Sequence, residues 1–311
     1  DLSNICITEM QYVKKGSIMD GLNTSIVKNL RIVVPPVLDQ RAIVDFLDAK
    51  CADIDSLTGD IQKQIDILKE YKKSVITQAV TKGIAPNVEM KDSGIAWIGL
   101  IPESWRIFRL KYLLAKPLQY GASETGIEFT KDLPRYIRIT DIDENNHLKE
   151  SGKLSLSFEK AKPYILKDNC VLFARSGATV GKTFFYKRSY GLAAFAGYLI
   201  AAFTKSTLLC ANWLYYYTQS NTYWNWVRQI FNQSTIQNIG ADKYNNLPVT
   251  VPTLKEQQDI VDYLDAKCAN IDAAIAGKQK QLDVLKEYKK SLIYEYVTGK
   301  KEVPCREYDP S

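Results

Sequence analysis

Residues Gln40–Thr81 read QRAIVDFLDAKCADIDSLTGDIQKQIDILKEYKKSVITQAVT, and residues Gln257–Thr298 read QQDIVDYLDAKCANIDAAIAGKQKQLDVLKEYKKSLIYEYVT. The two copies stand 217 residues apart throughout, with no gap. Leu47–Ala52 and Leu264–Ala269 are identical, as are Leu68–Ser74 and Leu285–Ser291. Neither copy contains proline, and Gly59 and Gly277 are the only interior glycines, so each predicts one long helix. At 1.5 Å per residue, forty residues reach roughly 60 Å.

The apolar residues of the first copy recur every seven positions at Leu47, Ile54, Ile61, Leu68 and Val75, with Leu57 and Tyr71 in a second seam. The second copy keeps the rhythm at Leu264, Ile271, Leu285 and Leu292, with Tyr288 matching Tyr71 and Lys278 interrupting the row. A heptad held this long asks for a coiled-coil partner. The best-matched partner for one copy is the other, and the long insertion between them allows an antiparallel return. An array of repeats binding another protein is the plainer alternative. The large unlike insertion argues against a uniform solenoid.

Length and composition set the frame. A chain of 311 residues has room for about two domains, and 46% hydrophobic with 24% charged residues is ordinary for a soluble protein. No apolar run is long enough to cross a bilayer and no signal-peptide pattern opens the chain, so no membrane partner is expected. The net charge of +6 permits an acidic partner such as DNA without demanding one. Six cysteines form no CxxC pair, which fits free thiols in a reducing cytoplasm. The one histidine, His147, sits in a polar run, so a histidine metal site or catalytic triad is all but excluded.

The internal offset continues upstream of the first helix: Pro35 aligns with Pro252, Leu30 with Leu247, Ser3-Asn4 with Ser220-Asn221. Residues 1–36 are therefore expected to be the tail of a domain whose full copy ends near Val251. The expected order is that remnant, a first helix over 37–83, a complete domain over 84–252, a second helix over 253–299 and a tail over 300–311. Thr253 and Glu256 fit a capping box at the start of the second helix. Residues 117–205 read as mostly β, with strand-like runs at Tyr136–Ile139, Cys170–Ala174, Thr183–Tyr186 and Tyr198–Phe203. Residues 208–231 read as helical, their many aromatic rings mostly core, with base stacking the minority reading. The fold class is α+β, a β-rich domain plus two long helices packed as an antiparallel coiled coil.

The run Phe173–Thr183, FARSGATVGKT, resembles a phosphate-binding loop, but Gly177 and Gly181 enclose three residues where that loop needs four. A glycine-permitted turn between two strands fits better. It would present Arg175, Ser176, Thr179 and Lys182 to a DNA groove or phosphate backbone, the plain alternative being a solvated hairpin. Ser123 lies in a second small polar loop, Gln119–Ser123. Arg135 and Arg138 flank a strand, and arginine commonly forks onto guanine. Gln233 and Ser234 precede the return to the second helix. No nucleophile–base pair, methyltransferase motif, cofactor loop or paired nuclease carboxylates stand out.

In combination these features resemble the DNA-specificity subunit of Type I restriction-modification enzymes. The residues that carry the resemblance are Val34-Pro35-Pro36 with Gln40–Val44, Val251-Pro252 with Glu256–Val261, the repeated LKEYKKS, Ile101–Trp105 and Ser176–Lys182. The resemblance implies that each target-recognition domain reads half of a split site on double-stranded DNA. It implies that the paired helices set the spacing and dock methyltransferase subunits, and that the assembly recruits restriction subunits. S-adenosylmethionine and ATP would belong to those partners; this chain would be non-catalytic and hold no cofactor. The chain departs from the pattern in carrying one complete recognition domain. Two chains pairing as a homodimer of half-subunits, a missing domain on another chain, or a domain deleted outright are the expectations that follow. A scaffold that binds proteins without reading DNA is the reading from a different class.

Overall fold

The computed structural model describes residues 32–143, 146–177, 179–232 and 238–304. Gln233, Ser234 and most of the remnant read at 1–36 lie outside the described residues, as does the end of the tail. The chain divides into two compact units, one of residues up to Lys69 together with those from Ile271, the other of Glu70–Asn270.

Two helices run through both ranges, α1 (Val37–Lys82) and α6 (Leu254–Val297). Pro35-Pro36 precede α1, the Gln40 side chain donating to the Pro35 carbonyl at 2.7 Å. Gly83, at φ +76°, ends it with its N–H on the Ala79 carbonyl. Thr253 caps α6 by accepting the Glu256 N–H at 3.3 Å. Glu256 does not complete the predicted capping box with its carboxylate, which accepts the Trp105 indole N–H at 2.8 Å instead.

In the first unit the two helices pack antiparallel. Leu47 and Ile54 of α1 meet Leu292 and Tyr296 of α6, while Ile61 and Ile65 meet Leu282. Early residues of one helix thus face late residues of the other. The rings of Phe46 and Tyr296 lie 4.6 Å apart. The expected row holds at Leu47, Ile54, Ile61, Leu285 and Leu292, and Ile271 is buried too. Where Lys278 interrupts it, the lysine bonds Gln64 at the surface and Leu282 takes its place in the seam. Ile65 is 1% exposed and Leu282 3%, whereas Leu57, expected in the second seam, is half exposed. Leu68 is partly buried and Tyr288 exposed. Asp55 and Lys289 form a cross-helix ion pair at 2.6 Å.

The second unit holds the remaining turns of both helices and the β-rich domain. Here the heptad rows continue against a different partner. Val75 packs on, and Leu264 is buried in, the main core of the domain, and Tyr71 is about half exposed. The domain begins with a hairpin of β1 (Met90–Asp92) and β2 (Leu100–Pro102). Strand β3 (Arg106–Arg109) pairs with β12 (Pro248–Val251), the strand that leads into α6. One four-stranded sheet has the order β4-β11-β8-β9, made of β4 (Gln119–Tyr120), β8 (Cys170–Ala174), β9 (Thr183–Tyr186) and β11 (Leu199–Ala202). A second has the order β10-β6-β7-β5, made of β5 (Ile127–Glu128), β6 (Arg135–Ile137), β7 (Leu154–Ser155) and β10 (Ala193–Phe195).

Strand β8 explains its own unbroken apolar sequence. Val171 and Phe173 face the main core, while Cys170, Leu172 and Ala174 face a second core. A strand buried on both faces has no position for a polar residue. Short helix α2 (Phe158–Ala161) leads to the strand region, and α3 (Ala211–Gln219) and α4 (Asn221–Asn232) cover the main core. Ser220 separates α3 from α4; its hydroxyl accepts the Tyr223 N–H and donates to the Tyr217 carbonyl. The aromatics of this region are core, as read: Trp213, Tyr217 and Tyr223 are fully buried, each donating to a backbone carbonyl. Helix α5 (Ala241–Tyr244) then returns the chain to β12.

Candidate nucleic-acid interface

The FARSGATVGKT run forms a hairpin between β8 and β9, with Phe173 opposite Thr183. Gly177 and Gly181 hold φ of +78° and +84°, the left-handed region that a side chain disfavours. The Ala174 N–H donates to the Lys182 carbonyl and the Gly181 N–H to the Ala174 carbonyl, closing the turn. Lys182 is exposed, while Arg175, Ser176 and Thr179 are partly buried.

Three further segments, far apart in sequence, line up beside this hairpin. The Arg175 N–H donates to the Tyr198 carbonyl at 3.0 Å, and the Ile239 N–H donates to the Arg175 carbonyl at 2.8 Å. Ser176 bridges Asn238 in antiparallel fashion. On the other side the Gly197 N–H donates to the Ala122 carbonyl at 2.7 Å, next to Ser123. One rim therefore runs from Ser123 through Gly197-Tyr198 and Arg175-Ser176 to Asn238. At ~4.8 Å per step, three steps between neighbouring segments span about 14 Å. Glycine is required at Gly121, where a Cβ would lie 2.3 Å from the Ala196 carbonyl oxygen. That close approach seats the Ser123 loop against the β10–β11 connection.

Side-chain chemistry separates the cations read from sequence. The Arg175 guanidinium lies over the Tyr120 ring, 5.0 Å from its centroid, and among the described residues neither Arg175 nor Lys182 enters an ion pair. Tyr120 is fixed in turn, its hydroxyl accepting the Ala241 N–H at 2.9 Å. Arg135, by contrast, is buried and bonds the Glu150 carboxylate and the Lys149 carbonyl. Arg138 forks onto Asp141 at 2.6 and 3.1 Å and reaches the Gly152 carbonyl. The Asp141 hydrogen bonds hold the Arg138 guanidinium above its ordinary pKa. Both arginines are engaged in holding the loops after β6 in shape. Sequence alone put Tyr120 in a candidate loop and Asn238 before the return to the second helix, but it did not single out Tyr198, because an aromatic at a strand end looks the same whether buried or presented.

Among the described residues no group of three or more His, Cys, Asp or Glu could hold a metal ion. The strongly raised groups are buried structural ones. Burial, and secondarily the Asp265 hydrogen bond, pushes the Tyr216 hydroxyl up, and burial pushes the Cys170 thiol up to about 12. No described helix is long and apolar enough to cross a membrane.

The family model of the Type I restriction modification DNA specificity domain matches residues 103–284. The chain belongs to that family. As a member of the Type I specificity family it is similar to the Type I restriction enzyme MjaVIII specificity subunit of Methanocaldococcus jannaschii. The two are 24% identical over 302 residues, covering 92% of this chain and 65% of that protein. It is likewise 24% identical over 267 residues to the EcoBI specificity subunit of Escherichia coli, covering 81% of this chain and 54% of that protein. The chain thus spans between about half and two thirds of these curated relatives. A chain from a solved structure described as "Structural basis underlying complex assembly and conformational transition of the type I R-M system" shares the fold. Its TM-score is 0.68 at 18% identity, covering 96% of this chain and 69% of that one. The specificity-domain match contains all four rim segments and the β3–β12 pair.

Proposed function

We propose that this chain is the non-catalytic DNA-reading subunit of a Type I restriction-modification assembly, acting in the cytoplasm. The observation that carries the reading is the rim: four segments from one specificity domain converge, with an Arg175 that enters no ion pair among the described residues and an exposed Ser123, and with Lys182 exposed on the adjoining turn. Arg175 and Lys182 are its phosphate or guanine contacts, and Ser123, Ser176 and Thr179 its smaller readers, with Gln233 and Ser234 adjoining Asn238 in sequence. Arg135 and Arg138 shape the domain and contribute to reading through loop position. A rim of about 14 Å matches roughly four base pairs at 3.4 Å each, the scale of half a split site.

Methyltransferase and restriction subunits are the proposed protein partners. Support comes from a cleft of about 630 Å³ in the second unit, lined among others by Tyr71, Ile84, Leu100 and Tyr263, large apolar residues left exposed. A second recognition domain, from a second copy or another chain, is proposed to sit on the start of α1. The repeat supports this. Gln257 bonds the Pro252 carbonyl and also the Leu208 and Cys210 backbone of its domain; Gln40 makes the first bond, to Pro35, and not the others. Val249 and Val261 are fully buried, while their repeat mates Ile32 and Val44 are 66% and 53% exposed.

The test is a mobility-shift titration with duplex DNA and the co-expressed methyltransferase subunit. Lys182→Ala should weaken binding about evenly across sequences and lower the log–log salt slope by about 1. Arg175→Ala should weaken it further. Wild-type binding without site preference would favour the protein scaffold; unchanged affinity in both variants would remove the hairpin from the interface.

A further inference from the structure

Strand register puts one more side chain at the rim than the reading above uses. β11 pairs with β8 so that Leu199 faces Ala174, and the next step outward sets Tyr198 opposite Arg175. β11 also pairs with β4, Ile200 facing Tyr120. Residues directly opposite on paired strands share a face. Ile200 and Phe173 point into the main core, so Tyr120, Tyr198 and Arg175 continue that same face past the end of the core. The sequel to two fully buried strands is thus a cation stacked on one tyrosine with a second tyrosine across from it. Burial changes abruptly here: Leu199 is 1% exposed and Tyr198 65%. Other exposed aromatics, such as Tyr112 and Phe158, belong to no rim segment.

The backbone under Tyr198 is held on both sides. Its carbonyl accepts the Arg175 N–H, and its neighbour Gly197 donates to Ala122. A Cβ on Gly197 would lie 2.9 Å from the Ser123 hydroxyl oxygen, so the two loops touch. A large, exposed ring fixed at its base, beside an unpaired guanidinium, suits an apolar group next to a hydrogen-bonding edge on an anionic chain. Nucleic-acid bases have that chemistry: a ring contact on the base or on a thymine methyl, next to a cation for the phosphate or a guanine edge.

We infer that Tyr198 is a specificity-determining residue, its ring packing on a base of duplex DNA beside the one contacted by Arg175. This rests on the DNA-reading function proposed above and adds a contact that does not depend on charge. Tyr120 is a positioning residue that holds the guanidinium in place.

The experiment selects from a random-sequence duplex library with the full chain co-expressed with its methyltransferase subunit, followed by affinity and salt titrations on the enriched sequence. Tyr198→Ala should lose about 5- to 150-fold in affinity for that sequence. It should relax the preference at one or two adjacent positions and keep the salt slope of the wild type. Tyr198→Phe should restore affinity to within about threefold, because the ring carries the contact. Lys182→Ala supplies the contrast, a lowered slope with the motif intact. Thermal unfolding of each variant excludes misfolding as the cause, and Tyr198→Leu gives a second ring deletion. The inference is overturned if the wild type enriches a motif and Tyr198→Ala retains it at full affinity. It is equally overturned if Tyr198→Phe loses as much as Tyr198→Ala, which would assign the hydroxyl to a phosphate. A wild type that enriches no motif sinks the DNA-reading function itself.

Discussion

Truncating Ile65 to alanine tests the packing of the helix pair. Ile65 is 1% exposed in the small cluster with Ile61 and Leu282, while Ile67, two residues on, is 66% exposed. The substitution removes three carbons, about 2.4 kcal/mol at roughly 0.8 kcal/mol per buried methylene. A residual cavity adds to that, and core truncations of this kind cost about 2–5 kcal/mol. The cluster is small and flanked by exposed side chains, so collapse should keep the cost to ~3 kcal/mol, by the same scale. Ile67→Ala in the same helix carries the same gain in helix propensity and almost no burial, and should stay within about 0.5 kcal/mol of wild type. Urea unfolding followed by far-ultraviolet circular dichroism reports the helices. Tryptophan fluorescence reports the second unit, since Trp97, Trp105, Trp213, Trp224 and Trp226 all fall within Glu70–Asn270. The helix signal should shift and the fluorescence transition should move less. Leu282→Ala should cost a similar amount, and the double variant less than the sum. Equal costs for Ile65→Ala and Ile67→Ala would mean that α1 and α6 do not bury this seam.

Three further outcomes are expected. Gly121→Ala puts a methyl 2.3 Å from the Ala196 carbonyl oxygen, so the 121–123 loop must part from the β10–β11 connection; calorimetry should show a loss of about 1–3 kcal/mol. The Asp55 hydrogen bond raises the Lys289 pKa above the ordinary 10.5, so the pair stabilises the folded state below that pH and is lost as pH rises through the folded value. Lys289→Gln should therefore narrow its difference from wild type in thermal melts above pH 10.5, and at high salt. Alkylation at pH 8 followed by peptide mapping should label Cys51, which is partly exposed, and spare Cys170, which is buried with its thiol pushed up to about 12.

Elements that repeat or alternate were legible in the chain. The long helices follow from a duplicated heptad without proline, and β8 and β9 were read with the bounds they have, Cys170–Ala174 and Thr183–Tyr186. Their signals are local: a period, an apolar run, a glycine pair at a turn. The heptad could not say what each apolar row would meet. Leu47 and Leu264 hold equivalent places in their rows, yet Leu47 packs with Leu292 and Leu264 enters the domain core. The site was legible as separate loops only. Arg135 and Arg175 look equivalent in sequence, and their difference comes from what surrounds each: Glu150 and a carbonyl for one, an aromatic face for the other.

The amino-acid sequence by itself determined the pair of matched helices, the β-rich domain inserted between them and the hairpin that is too short for a nucleotide loop. Each of these is encoded in neighbouring residues, where spacing and backbone preference act within a few positions. Only the tertiary structure decided that Ser123, Tyr198, Arg175 and Asn238 share one rim, and which arginines are already occupied. Those facts depend on strand order and register, which join residues up to more than a hundred positions apart and leave no periodic trace along the chain.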